Sequence, residues 1–236
     1  MPLPKIDHPV FSLNLPSNGK EIKFRPFLVR EEKILLMAKE SSNSKDMVEA
    51  VRQIIKNCII EPKDLDVSAL PTFDIEYFFV KLRARSVNNI VNLSYRDLED
   101  NKIYDFDVNL DEVQVKRIEG HTNKIKINDK LGVVLRYPTT DIYTKVNFAE
   151  DQDASVGTIR WCLDSVFDEE NVYLIKDYTP QEVDEFIFDL DVEALNGIME
   201  FIRTIPKLHY EIKYKNSLGN EKTIVLDSLS DFFTLG

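Results

Sequence analysis

The stretch FDIEYFFVKLRARSVNNIVNLSYRD, residues 73–97, decides the fold. Its first half sets Ile75, Phe78, Phe79 and Leu82 at i, i+3, i+4 and i+7, the spacing of one helix face, so these aromatics read as core residues. Beyond Ser86 the period drops to two. Val91, Leu93 and Tyr95 share a face, DLEDN (97–101) turns, and Tyr104, Phe106 and Val108 return. A helix that runs straight into a hairpin, with no glycine or proline between them, predicts an α+β protein.

Upstream, FSLNL (11–15) alternates, PSNG (16–19) turns and KEIKF (20–24) returns, which predicts a β-hairpin. Arg25-Pro26-Phe27 ends the pairing, because proline has no N–H to give the ladder. VREEKILLMAKE (29–40) predicts a helix with Glu31 and Glu32 in its first turn, where the helix dipole favours acids. Ser44 can cap a second helix carrying Val48, Val51, Ile55 and Cys58 at helical spacing, and EPKDLDVSALP (61–71) reads as a linker.

Downstream, KIKIN (124–128), DKLG (129–132) and VVLRYP (133–138) repeat the opening hairpin, down to an arginine just before the terminating aromatic and proline. Thr140 can cap a short helix through Phe148, and SVGTIRWCLDSVF (155–167) sets Val156, Ile159, Leu163 and Val166 at helical spacing. TPQEVDEFIF (179–188) opens on a capping box, Thr179 and Glu182, with Pro180 at the first helical position. DVEALNGIMEFIRTIP (191–206) reads as another amphipathic helix, and LHYEIKY, NSLGN and EKTIVL (208–226) as a closing hairpin.

Both halves thus read hairpin, helices, long apolar helix, hairpin. The expectation is an internal duplication over 10–110 and 123–233, giving two similar lobes of antiparallel β-hairpins packed with α-helices. The lobes are 1–110 and 124–236, joined by a linker over 111–123.

Composition narrows the function. Hydrophobic residues at 43% and charged residues at 30% of 236 positions exclude global disorder, and seven glycines disfavour folds built on glycine-rich loops. A net charge of −11 with dispersed lysines argues against a nucleic-acid backbone partner. MPLPKIDHPVF has no apolar run of signal-peptide length and no segment reaches membrane-span length, so the expected location is the cytosol where the chain is made.

Catalytic and metal chemistry finds no footing. His8, His121 and His209 are scattered outside metal-ligand spacings. The pairs Asp105/Asp107, Asp151/Asp153 and Asp189/Asp191 lack the glycine turn and converging oxygens of a cation loop. Cys58 and Cys162 lie on apolar helical stripes and read as buried thiols. No phosphate-loop, dinucleotide or nucleophile-elbow motif occurs. The expectation is a protein without cofactor that works by contact. Arg83 and Arg85 read as helix C-terminal charges pairing with an acid such as Asp74 or Glu76, or alternatively as interface arginines.

LPSNGKEIKFRPFLVREEKILLMAKE (15–40) followed by LPTFDIEYFFVKLRARSV (70–87) resembles the baseplate hub proteins of T-even-like contractile-tailed bacteriophages. The motifs are Phe24-Arg25-Pro26-Phe27, Glu31-Glu32-Lys33, Asp74-Ile75-Glu76 and Leu82-Arg83-Ala84-Arg85-Ser86; the resemblance is clearest over 10–97, and SLSDFF (228–233) adds to it. It implies a non-enzymatic hub component or hub assembly factor. The implied partners are other baseplate hub proteins and the tape-measure or tail-tube machinery, met in the host cytoplasm during assembly or in the virion tail. Two alternatives accompany it: a chaperone for the tape-measure protein that leaves the mature virion, and a cell-wall hydrolase associated with the hub. The candidate interface is Arg25, Pro26, Phe27, Arg30, Arg83 and Arg85, together with exposed hairpin edges.

Overall fold

The computed structural model describes residues 6–41, 43–142 and 154–232. The chain divides into two compact units: Met1–Lys116 with Lys207–Gly236, and Arg117–Pro206. The helix expected after Thr140 lies outside the described residues beyond 142.

In the first unit, strands β1 (Phe11–Asn14) and β2 (Glu21–Phe24) form the opening hairpin, with Phe11 opposite Phe24. Gly19 closes its turn at φ +73°, a backbone region that costs glycine nothing. Helices α1 (Val29–Ser41) and α2 (Ser44–Cys58) follow. The chain then returns as β3 (Ile59–Glu61), a third strand antiparallel to β2, of which only Glu61 falls in the stretch read in the sequence as a linker. A 3-10 turn at Val67–Ala69 leads into α3 (Thr72–Ser86), and β4 (Ile90–Arg96) and β5 (Ile103–Asn109) form the second hairpin. Its facing pairs Val91–Val108, Leu93–Phe106 and Tyr95–Tyr104 are those of the alternating pattern.

Helix α3 carries two opposed apolar faces. Ile75, Phe78, Phe79 and Leu82 join a core with Leu15, Ile22, Phe24, Ile54, Ile55 and Cys58. Roughly half a turn round, Val80 and Ala84 join a second core with Leu93, Val108, Leu110, Leu208, Leu226 and Phe232, against which Tyr77 packs. Polar contacts fix the helix along its length. Buried Asp74 accepts from the Ser17 N–H and Oγ–H in the first hairpin turn. Lys81 Nζ donates to the carbonyls of Leu110, Asp111 and Val113 at 3.0, 2.7 and 2.8 Å.

The closing hairpin, β11 (Lys207–Lys215) and β12 (Glu221–Leu226), belongs to this first unit, not to a C-terminal lobe. Two observations give the reason. The segment expected as a linker contains β6 (Gln114–Lys116), which pairs with Lys207–His209 of β11. Leu208 and Leu226 are buried in the second α3 core. The turns of the two hairpins also interlock. Tyr214 donates to Asp97, Asn216 to Asp97 and Glu99, and the Ser217 N–H and Oγ–H to Asp100, while the Tyr214 ring meets Tyr95, Tyr104 and Phe106.

The second unit holds a four-stranded antiparallel sheet in the order Val172–Leu174, Leu163–Phe167, Gly132–Leu135, Lys124–Lys126. Strands β7 (Lys124–Lys126) and β8 (Gly132–Leu135) form the expected hairpin. Helix α4 (Ala154–Cys162) stops at Cys162, and Leu163–Phe167 is β9 instead of the continued helix that the apolar spacing predicts. Leu163 and Val166 are buried there by pairing with β8. A short β10 (Val172–Leu174), α5 (Pro180–Phe188) with its capping box, and α6 (Val192–Arg203) complete the unit. Gly197 lets α6 lie close on β7, where a Cβ would come within 2.8 Å of Ile125.

Two expectations follow. Phe79, 2% exposed, should cost about 3–5 kcal/mol when truncated to alanine, measured by chemical denaturation. The interlocked turns should loosen in acid. Asp97 and Glu99 are held below their ordinary values of 3.8 and 4.5, Asp97 chiefly by the Glu99 N–H and Glu99 chiefly by Lys222. Their contribution is therefore complete above those values and lost as pH falls below them. The near-ultraviolet tyrosine circular dichroism should decay across that window, and at higher pH in Asn216→Ala.

Candidate interaction surface

The residues expected at an interface sit on a corner that the sequence builds around one arginine. Strand β2 is irregular between Lys23 and Phe24, and this places Arg25 over the end of α2. The Arg25 N–H donates to Cys58 O at 2.9 Å, and Nη2 donates to Asn57 O at 3.0 Å. The same guanidinium grips Glu31 at 3.1 and 3.3 Å and the Pro26 carbonyl at 2.8 Å. Glu31 also accepts from the Leu28 N–H at 2.9 Å and from Arg30 Nε at 2.8 Å. Phe27 donates its N–H to Ser86 Oγ at the end of α3.

This is a buried joint. Glu31 has no accessible side-chain surface, Arg25 retains 12%, and Phe27 is buried. Burial alone would raise the Glu31 pKa, but Arg25, the Leu28 N–H and Arg30 outweigh it and hold the carboxyl at about 2. Burial pushes the Cys58 thiol up to about 12 and the Cys162 thiol to about 11, so neither is poised as a nucleophile.

The other expected residues separate. Pro26 is half-buried in the joint, and Arg30 is exposed at its edge. Arg85 forms a two-pronged pair with Asp111 at 3.1 and 2.9 Å, instead of the Asp74 or Glu76 that its position suggests. Arg83 is half-buried, and burial lowers its pKa.

The joint fixes which face of α1 points outward. Glu31, Ile34, Leu35 and Ala38 face inward. Val29, Leu36 and Met37 stand exposed, on the arc that also carries Arg30 and Lys33. A surface helix ordinarily turns such residues to the core. The run Ile34-Leu35-Leu36-Met37 signals this in the sequence, because four consecutive apolar residues cannot all face one side of a helix.

The second unit has a corner of the same construction. Strand β8 is irregular between Val134 and Leu135, the Arg136 N–H donates to Cys162 O at 2.7 Å, and its Nε donates to Trp161 O at 3.0 Å. Beside it, His121, Tyr137 and Phe201 stack, with His121 held by Thr204 at 2.8 Å. Burial and Arg117 lower the His121 pKa.

Among the described residues, no group of three or more His, Cys, Asp or Glu is arranged to hold a metal ion, and no helix is long and apolar enough to cross a membrane. The profile of a family described as T4 bacteriophage base plate protein matches residues 8–234. The chain belongs to that family. Comparisons with curated proteins and with solved structures returned no match. A general role as a structural protein of the phage baseplate follows from this membership.

The joint predicts a pH-dependent stability. Glu31 is depressed from 4.5 to about 2, so its contribution is complete above 4.5 and lost as pH falls through 2. The wild-type advantage over Glu31→Gln in denaturant unfolding should therefore shrink across that window. Arg25→Gln, which leaves the buried carboxylate with only the Leu28 N–H and Arg30 as donors, should cost about 1–3 kcal/mol near neutral pH.

Proposed function

We propose that this baseplate protein is a hub component or hub assembly factor that acts by protein–protein contact, with the outward face of α1 as its docking face. The observation that carries the reading is the exposure of Val29, Leu36 and Met37 around Arg30 on a helix whose other face is pinned by Glu31. Apolar side chains flanked by Arg30 and Lys33 and by Glu32 and Glu40 fit a partner surface that is apolar at its centre and carries charges of both signs at its rim. Of the residues expected at the interface, Arg30 meets the partner, while Arg25 and Phe27 act indirectly by orienting α1.

We further read the chain as two copies of one ancestral order, over 10–110 and 123–233. Support comes from the recurrence of a hairpin, an irregularity at the end of its second strand, and an arginine bonded to the last carbonyls of a helix that ends in cysteine. On this reading the ancestral repeats and the compact units have different boundaries, because the last hairpin of the second copy packs with the first unit.

The reading is tested by recovery of hub proteins on the tagged chain from infected cells. Leu36→Asp combined with Met37→Asp should lose most of that recovery while the circular dichroism spectrum stays native. Recovery at the wild-type level would remove α1 as the docking face. Mass spectrometry of purified particles divides the two roles: stoichiometric presence identifies a hub component, and absence identifies an assembly factor or tape-measure chaperone.

A further inference from the structure

The two arginine corners differ in one respect. In the first, the guanidinium of Arg25 is filled by the buried carboxylate of Glu31, and 12% of the side chain stays accessible. In the second, Arg136 repeats the backbone and helix-end bonds but is 46% accessible. Among the described residues its carboxylate contact is Asp164 Oδ1, 3.9 Å from Nη1, too long for a hydrogen bond. A half-exposed pair at that distance contributes little. The guanidinium opens on a cavity of about 560 Å³ whose lining includes Asn123, Tyr137, Asp164 and Phe201. The walls are fixed by the His121–Tyr137–Phe201 stack and by the bond from His121 to Thr204.

We infer that the cavity at Arg136 is a seat for an acidic side chain of a partner protein, which takes the place that Glu31 takes on Arg25. The chemistry is a charge-assisted, two-pronged arginine–carboxylate pair beside an aromatic wall that covers the methylenes of the incoming acid. Asp164 competes for the same guanidinium and keeps the seat weak until a partner supplies further contacts. That the partner is a baseplate protein rests on the functional reading above; the seat itself does not.

The experiment titrates the purified full chain by isothermal titration calorimetry. The probes are a blocked tripeptide with glutamate between two leucines and its glutamine counterpart. The glutamate peptide should bind about tenfold more tightly, as expected for one charge-assisted pair. Arg136→Gln should reduce its binding to the glutamine level, and Asp164→Asn should tighten it. Equal binding of the two peptides, no binding of the glutamate peptide to wild type, or weaker binding in Asp164→Asn would overturn the proposal. If Arg136→Gln does not fold, the peptide pair on wild type and on Asp164→Asn still decides it. A failure of the hub reading would appear in the recovery experiment and leave these titrations unchanged.

Discussion

Burial of α3 on two opposite faces is the constraint on which the first unit depends. A helix that faces solvent along one side can tolerate local rearrangement of its neighbours. This one cannot, because Phe78 and Phe79 close a core with the first hairpin while Val80 and Ala84 close another with the second and the closing hairpins. Asp74 and Lys81 then fix its rotation and its height by bonds to the first hairpin turn and to the segment that follows β5. The side-chain ammonium does for three turn carbonyls what a strand would do elsewhere, and without it they would be left unpaired.

The joint between a strand end and a helix end recurs with different consequences. At Arg25 the guanidinium is used internally, which makes the corner rigid and α1 a fixed platform. At Arg136 the same backbone arrangement leaves the charge facing solvent. Buried ion pairs add less to stability than their geometry suggests, because desolvation offsets much of the attraction. The first joint is better understood as specifying one orientation of α1, since any other would leave Glu31 buried without its donors.

What could be read in the sequence was local. The hairpins at 11–24, 91–108, 124–135 and 207–226 announce themselves through alternation and turn residues, and α5 through its capping box. The short strands β3, β6 and β9 do not, because three to five residues carry no usable period, and β3 and β6 pair only with strands distant in the chain. Leu163 and Val166 show how this misleads, since a spacing of three fits a helix as well as a strand whose register shifts between them. The second face of α3 was legible in Tyr77, Val80 and Ala84 but is masked by the stronger aromatic stripe. At the candidate surface Arg30 is exposed, whereas nothing local distinguishes Arg25 as buried; its burial comes from an acid six residues on and a helix end more than thirty residues away.

The pairing of Lys116 with Lys207 places the whole of Arg117–Pro206 between two adjacent strands of the first unit. On the ribosome this separates the halves of one core in time. The β4–β5 ribbon emerges with Tyr104 and Phe106 awaiting Tyr214, and the second unit must be synthesised before that partner exists. At ordinary elongation rates the interval is roughly 5–20 s. Throughout it the second unit is continuous in sequence and is complete before the unit that encloses it in chain order. Nascent-chain aggregation or chaperone capture would therefore concentrate on the earlier-made segment, the reverse of the usual order in proteins built from successive domains.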